Sequence, residues 1–508
     1  MHDILIVGAG SAGCAIAARA SEDPNRTVLL VEAGPDYPDL ASTPFDLVNS
    51  HNNSYRDHDW GLEHAPTRAR RIAFPRGRVI GGSSAVNTTI ALRGVPEDYD
   101  EWAALGNPEW SWANVLPAFK RLERDLDFGA AAHHGDAGPI AIRRYPDAEL
   151  LPQHRAFLEA ARTLGYPDCP DQNDPWAFGA GPQPMNKLGR LRISCAIGYL
   201  APARCRPNLT IRANATVRRL LIEGGRCRGV EIESATGIER VAAKLVVLCA
   251  GAIMSPAILL RSGVGPRAQL EALGIDVLRD APGVGANLSD HPALSVVCEV
   301  KDPRLIDFDA PIIQTILRYT APRSEKRNDL QIEQLSFVGR RNAVPSFGIA
   351  AVVEYQHGRG ELRLAAADPR VPPIIDNRFC EDERDVARLV GCFKDALAFA
   401  HTRPLADMIE RIAFPDDARA LDDDALAALC RRFAGSGYHP CGTAKLGPKS
   451  DATAVVDQHG CCHAIDQLVV ADASIMPFVP RANTNLTAIM IGEKIGEWLR
   501  VASARYGL

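Results

Sequence analysis

Short apolar runs near the start of the chain predict buried strands that alternate with helices. The run from Ile4 to Val7 is short and continuous, which is typical of a strand in a parallel sheet. A second apolar run, TVLLVEAG, predicts a second strand that ends in Glu32. The segment between them predicts a helix whose small side chains allow close packing on the sheet, at Ala12, Ala15 and Ala18. This order indicates an α/β fold.

Elsewhere polar and apolar positions alternate, or repeat with the period of a helix. Residues 329–337 (DLQIEQLSF) and 360–367 (GELRLAAA) alternate and predict strands. The segment NLTIRANATVRRLLIEGGRCRGVEI alternates around Gly224 and Gly225, which indicates a hairpin. Near the end of the chain, the apolar spacing predicts a helix that begins near Thr484 and has one face formed by Ile491, Ile495, Trp498 and Leu499.

The glycines after the first strand have the spacing of a dinucleotide-binding turn. Gly8, Gly10 and Gly13 form G-x-G-x-x-G, which lets the backbone approach a pyrophosphate while helix N–H groups receive its charge. Glu32 follows the last of these glycines by about 20 residues, the spacing at which an acidic side chain holds a ribose hydroxyl. Its carboxylate would repel a 2′-phosphate and therefore disfavours NADP. FAD and NAD both remain open on this evidence.

The composition excludes several classes of protein. Hydrophobic residues make up 46% and charged residues 23% of the 508 residues, as in a globular protein. The net charge of −5 argues against a nucleic-acid partner. The longest apolar runs, such as residues 244–254, are too short for a membrane span. Because the glycine motif begins at Gly8, it leaves no room for a signal peptide, and we expect a cytoplasmic protein.

Thirteen cysteines are scattered along the chain, and their number is odd. We therefore expect reduced thiols rather than a disulfide framework. The cluster HGCCH at residues 459–463 offers potential metal ligands, but adjacent cysteines lack the spacing of structural zinc sites. We expect no metal.

A second loop rich in glycine and serine, PRGRVIGGSSAVNTTIALRGVPEDYDEW, occupies residues 75–102 and is not another complete dinucleotide unit. Together with the VEAG after the second strand, it resembles the flavin-binding pattern of the glucose-methanol-choline (GMC) oxidoreductases. Further segments that match this family are GAIMSPAILLRSGVG (251–265), PGVGANLSDH (282–291), YHPCGT around His439, and VVADASIMPFVPRANTN (469–485). The resemblance extends over nearly the whole chain.

This resemblance implies FAD rather than NAD and assigns residues to it. Small side chains at residues 81–84 would expose backbone N–H groups to the phosphate and the ring. Val86 stands where some members carry a histidine that attaches the flavin covalently, so we expect non-covalent FAD. The residues implied in FAD binding are Gly8, Gly10, Ser11, Ala12, Gly13, Glu32, Ala33, Arg78, Gly81, Gly82, Ser83, Asn87, Thr88, Val217, Asp472, Ala473, Asn483 and Thr484.

The resemblance also implies a catalytic pair, His439 and Asn483, placed over the flavin. Hydride leaves an alcohol carbon more easily when a base removes the hydroxyl proton, and histidine is largely neutral near physiological pH and suits that task. The amide of Asn483 would orient the hydroxyl group. Without the resemblance, His439 would more often be an ordinary hydrogen-bonded loop histidine. We expect a structural role for other histidines, namely His64, His133, His134 and His291.

Cofactor motifs near both ends and in the middle imply a discontinuous flavin domain. The expected fold is α/β (α+β overall), with an FAD/NAD(P)-binding Rossmann-like domain into which a sheet-containing substrate domain is inserted. The substrate pocket is expected between the two domains. The FAD-binding domain is assigned to residues 1–140, 191–295 and 441–508, and the substrate domain to residues 141–190 and 296–440.

The chain looks most like bacterial members of the family that oxidise hydroxymethyl groups on aromatic or heteroaromatic rings. This implies oxidation of a primary alcohol to the aldehyde by hydride transfer to flavin N5, with oxygen as the preferred electron acceptor. The alternatives are an alcohol or choline-type dehydrogenase with another acceptor, a flavoprotein lyase without net redox chemistry, and a catalytically idle FAD-binding protein. Arg481 is expected to be a solvated arginine at the pocket rim, with an anionic substrate group as its alternative partner.

Overall fold

Helices and short strands alternate along the described part of this computed structural model, which comprises residues 1–339, 343–416 and 421–508. The helices are α1 (Ser11–Ala20), α2 (Phe45–Val48), α3 (Pro96–Ala104), α4 (Trp112–Leu122), α5 (Pro152–Thr163), α6 (Ala201–Ala203), α7 (Gly251–Arg261), α8 (Arg267–Ala272), α9 (Glu383–His401), α10 (Leu405–Met408), α11 (Asp423–Phe433) and α12 (Thr484–Val501). Within these described ranges, no helix is both long and apolar enough to cross a lipid bilayer.

The strands are shorter than the helices and fall into several sheets. They are β1 (His2–Val7), β2 (Val28–Val31), β3 (Glu63–Thr67), β4 (Arg70–Ala73), β5 (Glu123–Asp125), β6 (Ile140–Ile142), β7 (Gly179–Pro182), β8 (Lys187–Leu188), β9 (Leu191–Arg192), β10 (Leu209–Arg212), β11 (Thr216–Glu223), β12 (Arg226–Ser234), β13 (Gly237–Leu248), β14 (Val264–Gly265), β15 (Arg279–Asp280), β16 (Pro292–Val300), β17 (Ile313–Tyr319), β18 (Leu330–Leu335), β19 (Ser346–Val353), β20 (Glu361–Arg363), β21 (Ile374–Asp376), β22 (Ile409–Phe414), β23 (Gly435–Ser436) and β24 (Leu468–Val470).

A parallel sheet forms the centre of the larger hydrophobic core. Its strands have the order β10-β2-β1-β13, and β24 also pairs with β13. All of these neighbours run parallel, and Ile4 lies between Val28 on one side and Leu245 on the other. The first two predicted strands and the α/β class are therefore confirmed.

The long strand β13 extends beyond the parallel sheet and continues into an antiparallel hairpin. It pairs with β12, and β12 pairs with β11. The turn between β11 and β12 contains Gly224 and Gly225, both with positive φ. Such values are required in tight hairpin turns and are easiest for glycine. The predicted hairpin is thus confirmed.

Helix α1 follows the glycine turn and packs closely against α12. A Cβ atom added at Gly492 of α12 would lie 2.5 Å from the backbone oxygen of Ala12 and 3.0 Å from the Cβ of Ala15. The small residues of α1, predicted to pack on the sheet, therefore also permit this helix crossing. The predicted start of α12 at Thr484 is confirmed. On its predicted apolar face Ile491, Ile495 and Leu499 are buried, and Trp498 is half-buried.

A second, antiparallel sheet has the order β22-β16-β19-β18-β17-β7. Side chains of its central strands alternate between two faces, as strand geometry requires. Val296, Ile332 and Ile349 belong to the face that packs with α9 in a second hydrophobic core. Ser295 and Glu333 belong to the opposite face, which lines a cavity. The strand predicted in residues 329–337 is confirmed as β18.

A small sheet, β20-β21-β3-β4, connects distant parts of the chain. β20 covers three residues of the strand predicted for residues 360–367 and pairs with β21 at the edge of this sheet. β21 pairs with β3, so Asp376 of the predicted substrate domain lies beside Ala65 of the predicted FAD domain. The exact boundaries between the two domains remain a prediction.

Replacing Gly492 with alanine should destabilise the fold by about 1–3 kcal/mol, because the added methyl group would overlap the backbone of α1. The comparison is Gly391→Ala in α9, where a Cβ atom would meet no atom within 4 Å. That substitution should be neutral or stabilise by roughly 0.5–1 kcal/mol, since alanine restricts the unfolded chain more than glycine does. The midpoints of urea unfolding of both variants test this. Equal shifts in the same direction would contradict the close crossing.

Candidate active site

One buried carboxylate fixes the loop that carries His439. Asp290 Oδ1 accepts hydrogen bonds from the backbone N–H groups of His439 (2.8 Å) and His291 (2.7 Å). Its Oδ2 accepts from the hydroxyl group of Ser436 at 2.5 Å. Burial raises the pKa of Asp290 to about 6, although these donors oppose the rise. The position of the His439 backbone thus depends on Asp290.

Asn483 reaches His439 from the N-terminus of α12. It is the N-cap residue of that helix, yet its side chain makes no capping hydrogen bond. Instead, its Nδ2 lies 3.0 Å from Nε2 of His439, a residue 44 positions away in sequence. Because an amide NH₂ group can only donate, Nε2 of His439 is the acceptor and carries no proton. The structure thus brings the predicted pair together.

His291 contacts the other ring nitrogen of His439. The two Nδ1 atoms lie 3.0 Å apart, and one of them has to donate. Since Nε2 of neutral His439 carries no proton, its Nδ1 does, and it donates to His291. His291 then carries its proton on Nε2, which faces Oε2 of Glu354 at 3.7 Å. His291, expected to be only structural, therefore sets the proton position on His439.

Both imidazoles are neutral at physiological pH. Burial lowers the pKa of His439 well below its ordinary value, and the neighbouring His291 and Arg76 lower it further. Burial also lowers the pKa of His291, to about 3. A neutral imidazole with a free lone pair on Nε2 can accept a proton from a molecule placed beside it. The arrangement is that of a general base.

His439 and Asn483 face a cavity of about 460 Å³ that the glycine turn also lines. The size is that of a small-molecule or cofactor site. Most of the residues assigned to FAD from the sequence lie on its wall. These are Gly8, Gly10, Ser11, Ala12, Glu32, Ala33, Gly82, Ser83, Asn87, Thr88, Val217, Asp472, Ala473, Asn483 and Thr484.

The cavity wall has the donors and acceptors that a dinucleotide such as FAD requires. Glu32 accepts backbone N–H groups of Ala9 and Gly34, both at 2.9 Å, through separate oxygens. Each oxygen keeps a lone pair for a ribose hydroxyl. A Cβ atom added at Gly10 would meet no atom within 4 Å, so the backbone there is open to a pyrophosphate. Asn485 also lines the cavity, and its Nδ2 atom is buried without a hydrogen-bond partner among the described residues.

Three residues of the predicted FAD set, Gly13, Arg78 and Gly81, do not line the cavity. A Cβ atom at Gly13 would lie 2.0 Å from the backbone oxygen of Gly8, so this glycine allows α1 to pack on the turn. Gly81 bends the second loop with a φ of 98°. The guanidinium of Arg78 lies over the ring of Trp60, 5.1 Å from its centroid. The contact of these three residues with FAD stays a prediction.

Sequence reasoning expected a sheet beside the pocket but did not name the residues of that wall. One face of the antiparallel sheet forms it, and we call this face the sheet wall. The alternation in residues 329–337 predicted a strand, but the pairing of β18 with β19 decides which side chains meet the cavity. The sheet wall consists of Ala293, Ser295, Gln331, Glu333, Leu335, Ala350, Val352 and Glu354.

The expectation that Arg481 is a solvated rim arginine is wrong. Its side chain is 1% exposed, and its Nε donates to Oδ1 of Asp98 at 2.7 Å. The backbone N–H of Arg481 donates to the other oxygen of Asp98 at 2.8 Å. Burial of a charged group requires such a partner, and Asp98 comes from the distant helix α3. The ion pair fixes the chain just before Asn483.

The described residues include a buried group of potential metal ligands around His134, away from the cavity. Its ring nitrogens lie 2.9 Å from Oε1 of Glu123 and 2.8 Å from Oδ2 of Asp171. These carboxylates help to raise the pKa of His134 to about 10. Arg144 also pairs with Asp171, and Arg93 pairs with Glu123, so arginines already neutralise these carboxylates. The group is a buried ion-pair network.

Comparison with known proteins identifies the family of this chain. Residues 2–293 and 356–492 each match a family model described as GMC oxidoreductase. The chain is 36% identical to the 5-(hydroxymethyl)furfural oxidase of Methylovorus sp. (strain MP688), over 98% of each chain. It is 35% identical to oxygen-dependent choline dehydrogenase 1 of Chromohalobacter salexigens, over 98% of this chain and 95% of that one.

A solved structure shows the same fold. The crystal structure of pyridoxine 4-oxidase from Mesorbium loti superposes with a TM-score of 0.91 at 31% sequence identity, over 98% of each chain. The family models cover most of the sequence, and the relatives match from end to end. The chain therefore belongs to the GMC oxidoreductase family and is an FAD-dependent oxidoreductase that acts on CH–OH groups.

Proposed function

We propose that this chain oxidises a primary alcohol, a hydroxymethyl group on an aromatic or heteroaromatic ring, to the aldehyde, with oxygen as the electron acceptor. The observation that carries the proposal is the contact of Asn483 with a neutral His439 on the wall of the cavity that fits FAD. The names of two relatives, a 5-(hydroxymethyl)furfural oxidase and a pyridoxine 4-oxidase, support the substrate class and the acceptor.

His439 and Asn483 have different roles at the substrate hydroxyl group. Nε2 of His439 accepts the hydroxyl proton as the C–H bond breaks. Nδ2 of Asn483, which donates to His439 at 3.0 Å, donates to the substrate oxygen when the hydroxyl group lies between them. Bound FAD supplies the hydride acceptor, N5 of its ring, so that the alcohol loses one hydride and one proton. The aldehyde is the product.

The N-terminus of α12 adds a fixed electrostatic contribution. Thr484 and Asn485 begin this helix and line the cavity. The free N–H groups of a helix N-terminus favour negative charge nearby. Negative charge that develops on bound molecules during the oxidation is thereby stabilised.

Val86 supplies no nucleophile to the flavin, so the residues on the wall hold FAD without a covalent bond.

The proposed oxidation predicts that aromatic primary alcohols bleach the flavin of the purified protein without oxygen and that air restores the colour quickly. His439→Ala should slow flavin reduction by about 100-fold or more, the scale of losing a general base. Anaerobic stopped-flow absorbance with a panel of alcohols measures both effects. Slow recovery in air would favour a dehydrogenase. Failure of every alcohol to bleach the flavin, or an unchanged rate in His439→Ala with FAD retained, would contradict the proposal.

The pH dependence of flavin reduction should show the lowered pKa of His439. The base is active when neutral, so protonation inactivates it, and a lowered pKa moves this loss to more acidic pH. The rate should therefore stay nearly constant down to about pH 6.5, the ordinary histidine pKa, and fall only below it. Stopped-flow measurements across this range test the expectation. A half-maximal rate at the ordinary value would contradict it.

His291→Leu should slow flavin reduction by about 10- to 100-fold, because His439 Nδ1–H loses its acceptor when the ring becomes cationic. His291→Asn should retain most of the rate, since its amide oxygen can accept the same hydrogen bond. Both variants lose the packing of the ring, so unfolding midpoints and FAD content serve as controls. Equal losses in the two variants would show that His291 acts through packing alone.

A further inference from the structure

The sheet wall of the cavity carries two carboxyl groups that the proposed reaction does not use. Glu333 lies on β18 and Glu354 directly follows β19, the neighbouring strand. Both side chains line the cavity. Glu333 is paired across the sheet with Ala350, whose small side chain leaves the carboxyl group uncovered on that side. Burying a carboxyl group costs free energy unless a hydrogen-bond or ion-pair partner accompanies it.

Among the described residues, neither carboxyl group forms a salt bridge with a lysine or arginine side chain. The Nε2 atom of Gln331, a neutral amide, donates to Glu333 Oε1 at 2.7 Å. Oε2 of Glu354 is buried without a hydrogen-bond partner among the described residues. Burial raises the pKa of Glu333 to about 7 and that of Glu354 well above its ordinary range. These shifts are the expected response of carboxyl groups that lack a positive partner.

Within the described residues, Arg318 interacts with Glu354 but makes no hydrogen bond to it. Arg318 attracts Glu354, but its Nη1 donates to the backbone oxygen of Gln172 at 2.8 Å and its Nη2 to that of Arg481 at 2.7 Å. Its hydrogen bonds are thus directed to carbonyl groups. The other buried cation nearby, Arg481, is paired with Asp98. In the described part of the chain, both carboxyl groups therefore lack a cation that donates a hydrogen bond to them.

We propose that Glu333 and Glu354 form a subsite for a basic nitrogen, carried by the alcohol substrate as a second polar group. An alkylammonium group supplies the missing positive charge, and its N–H groups donate to carboxylate oxygens in charge-assisted hydrogen bonds. A neutral amine that takes a proton from a carboxylic acid forms the same ion pair, so either protonation state on entry leads to one complex. This inference rests on the proposed alcohol oxidation and narrows its substrate class to amino alcohols with an aromatic ring.

Matched alcohols test the subsite in the FAD-loaded protein. The probes are 4-(aminomethyl)benzyl alcohol, its N,N,N-trimethyl derivative, and 4-methylbenzyl alcohol as the neutral analogue. We expect kcat/KM for the aminomethyl compound to exceed that of the neutral analogue by at least about tenfold, the scale of one hydrogen bond to a charged group. The trimethyl derivative has the charge but no N–H group and should fall between them. Equal values for the amine and the neutral analogue, or a preference for the trimethyl derivative, would overturn the proposal.

Variants locate the preference on the sheet wall. Glu333→Gln keeps the shape and removes the charge, and it should abolish the preference for the amine while leaving flavin reduction by 4-methylbenzyl alcohol within about twofold. Glu223→Gln, at an exposed position in the β11–β12 hairpin, is the control and should change neither rate. A preference that survives in Glu333→Gln would overturn the assignment. An equal loss with both alcohols would also overturn it, because the residue would then serve the fold.

The two proposals fail in different ways. If neutral aromatic alcohols reduce the flavin but the amine has no advantage, the subsite is refuted and the oxidation stands. If none of the three alcohols reduces the flavin, the proposed oxidation itself fails. Flavin content and the unfolding midpoint of Glu333→Gln, measured beside those of the Glu223→Gln control, show whether a lost rate reflects lost folding.

Discussion

The proposed oxidation depends on keeping the Nε2 lone pair of His439 free inside a buried site. Burial makes the charged imidazole costly, so the ring stays neutral and able to accept a proton. A neutral imidazole still has two tautomers, and its neighbours select one. Asn483 donates to Nε2 and His291 accepts from Nδ1. The neutral ring of His439 therefore carries its proton on Nδ1, and a proton taken from a substrate binds to Nε2.

Contacts elsewhere in the structure fix the relative positions of His439, Asn483 and His291. Asp290 binds the backbone of both histidines, so one carboxylate sets the distance between their loops. Arg481 and Asp98 fix the chain just before Asn483. The close crossing of α12 with α1 at Gly492 ties the helix that follows Asn483 to the glycine turn. The glycine turn and the loop of His439 thus belong to one packed unit.

The two sheets contribute to the cavity in different ways. The parallel sheet offers mainly backbone groups, because strand ends and helix N-termini present N–H groups that suit phosphates and ribose. The antiparallel sheet offers side chains, because alternate residues of each strand point to the cavity. The backbone groups of the parallel sheet suit a cofactor that stays the same in every turnover. The side chains of the antiparallel sheet can be chosen to match a particular substrate, and in this chain they include Glu333 and Glu354.

The sequence by itself determined the features that depend on local spacing. The glycine turn with Glu32, the β11–β12 hairpin and the start of α12 were all predictable, because each depends on residues close together in the chain. The resemblance to a known family added His439 and Asn483. Tertiary structure alone decided that His291 touches His439, that Arg481 is buried against Asp98, and which face of β18 meets the cavity. The contacts of His291 and Arg481 join residues far apart in sequence. Alternating polar and apolar residues predict that a strand has two different faces, but they do not predict which face another part of the chain will cover.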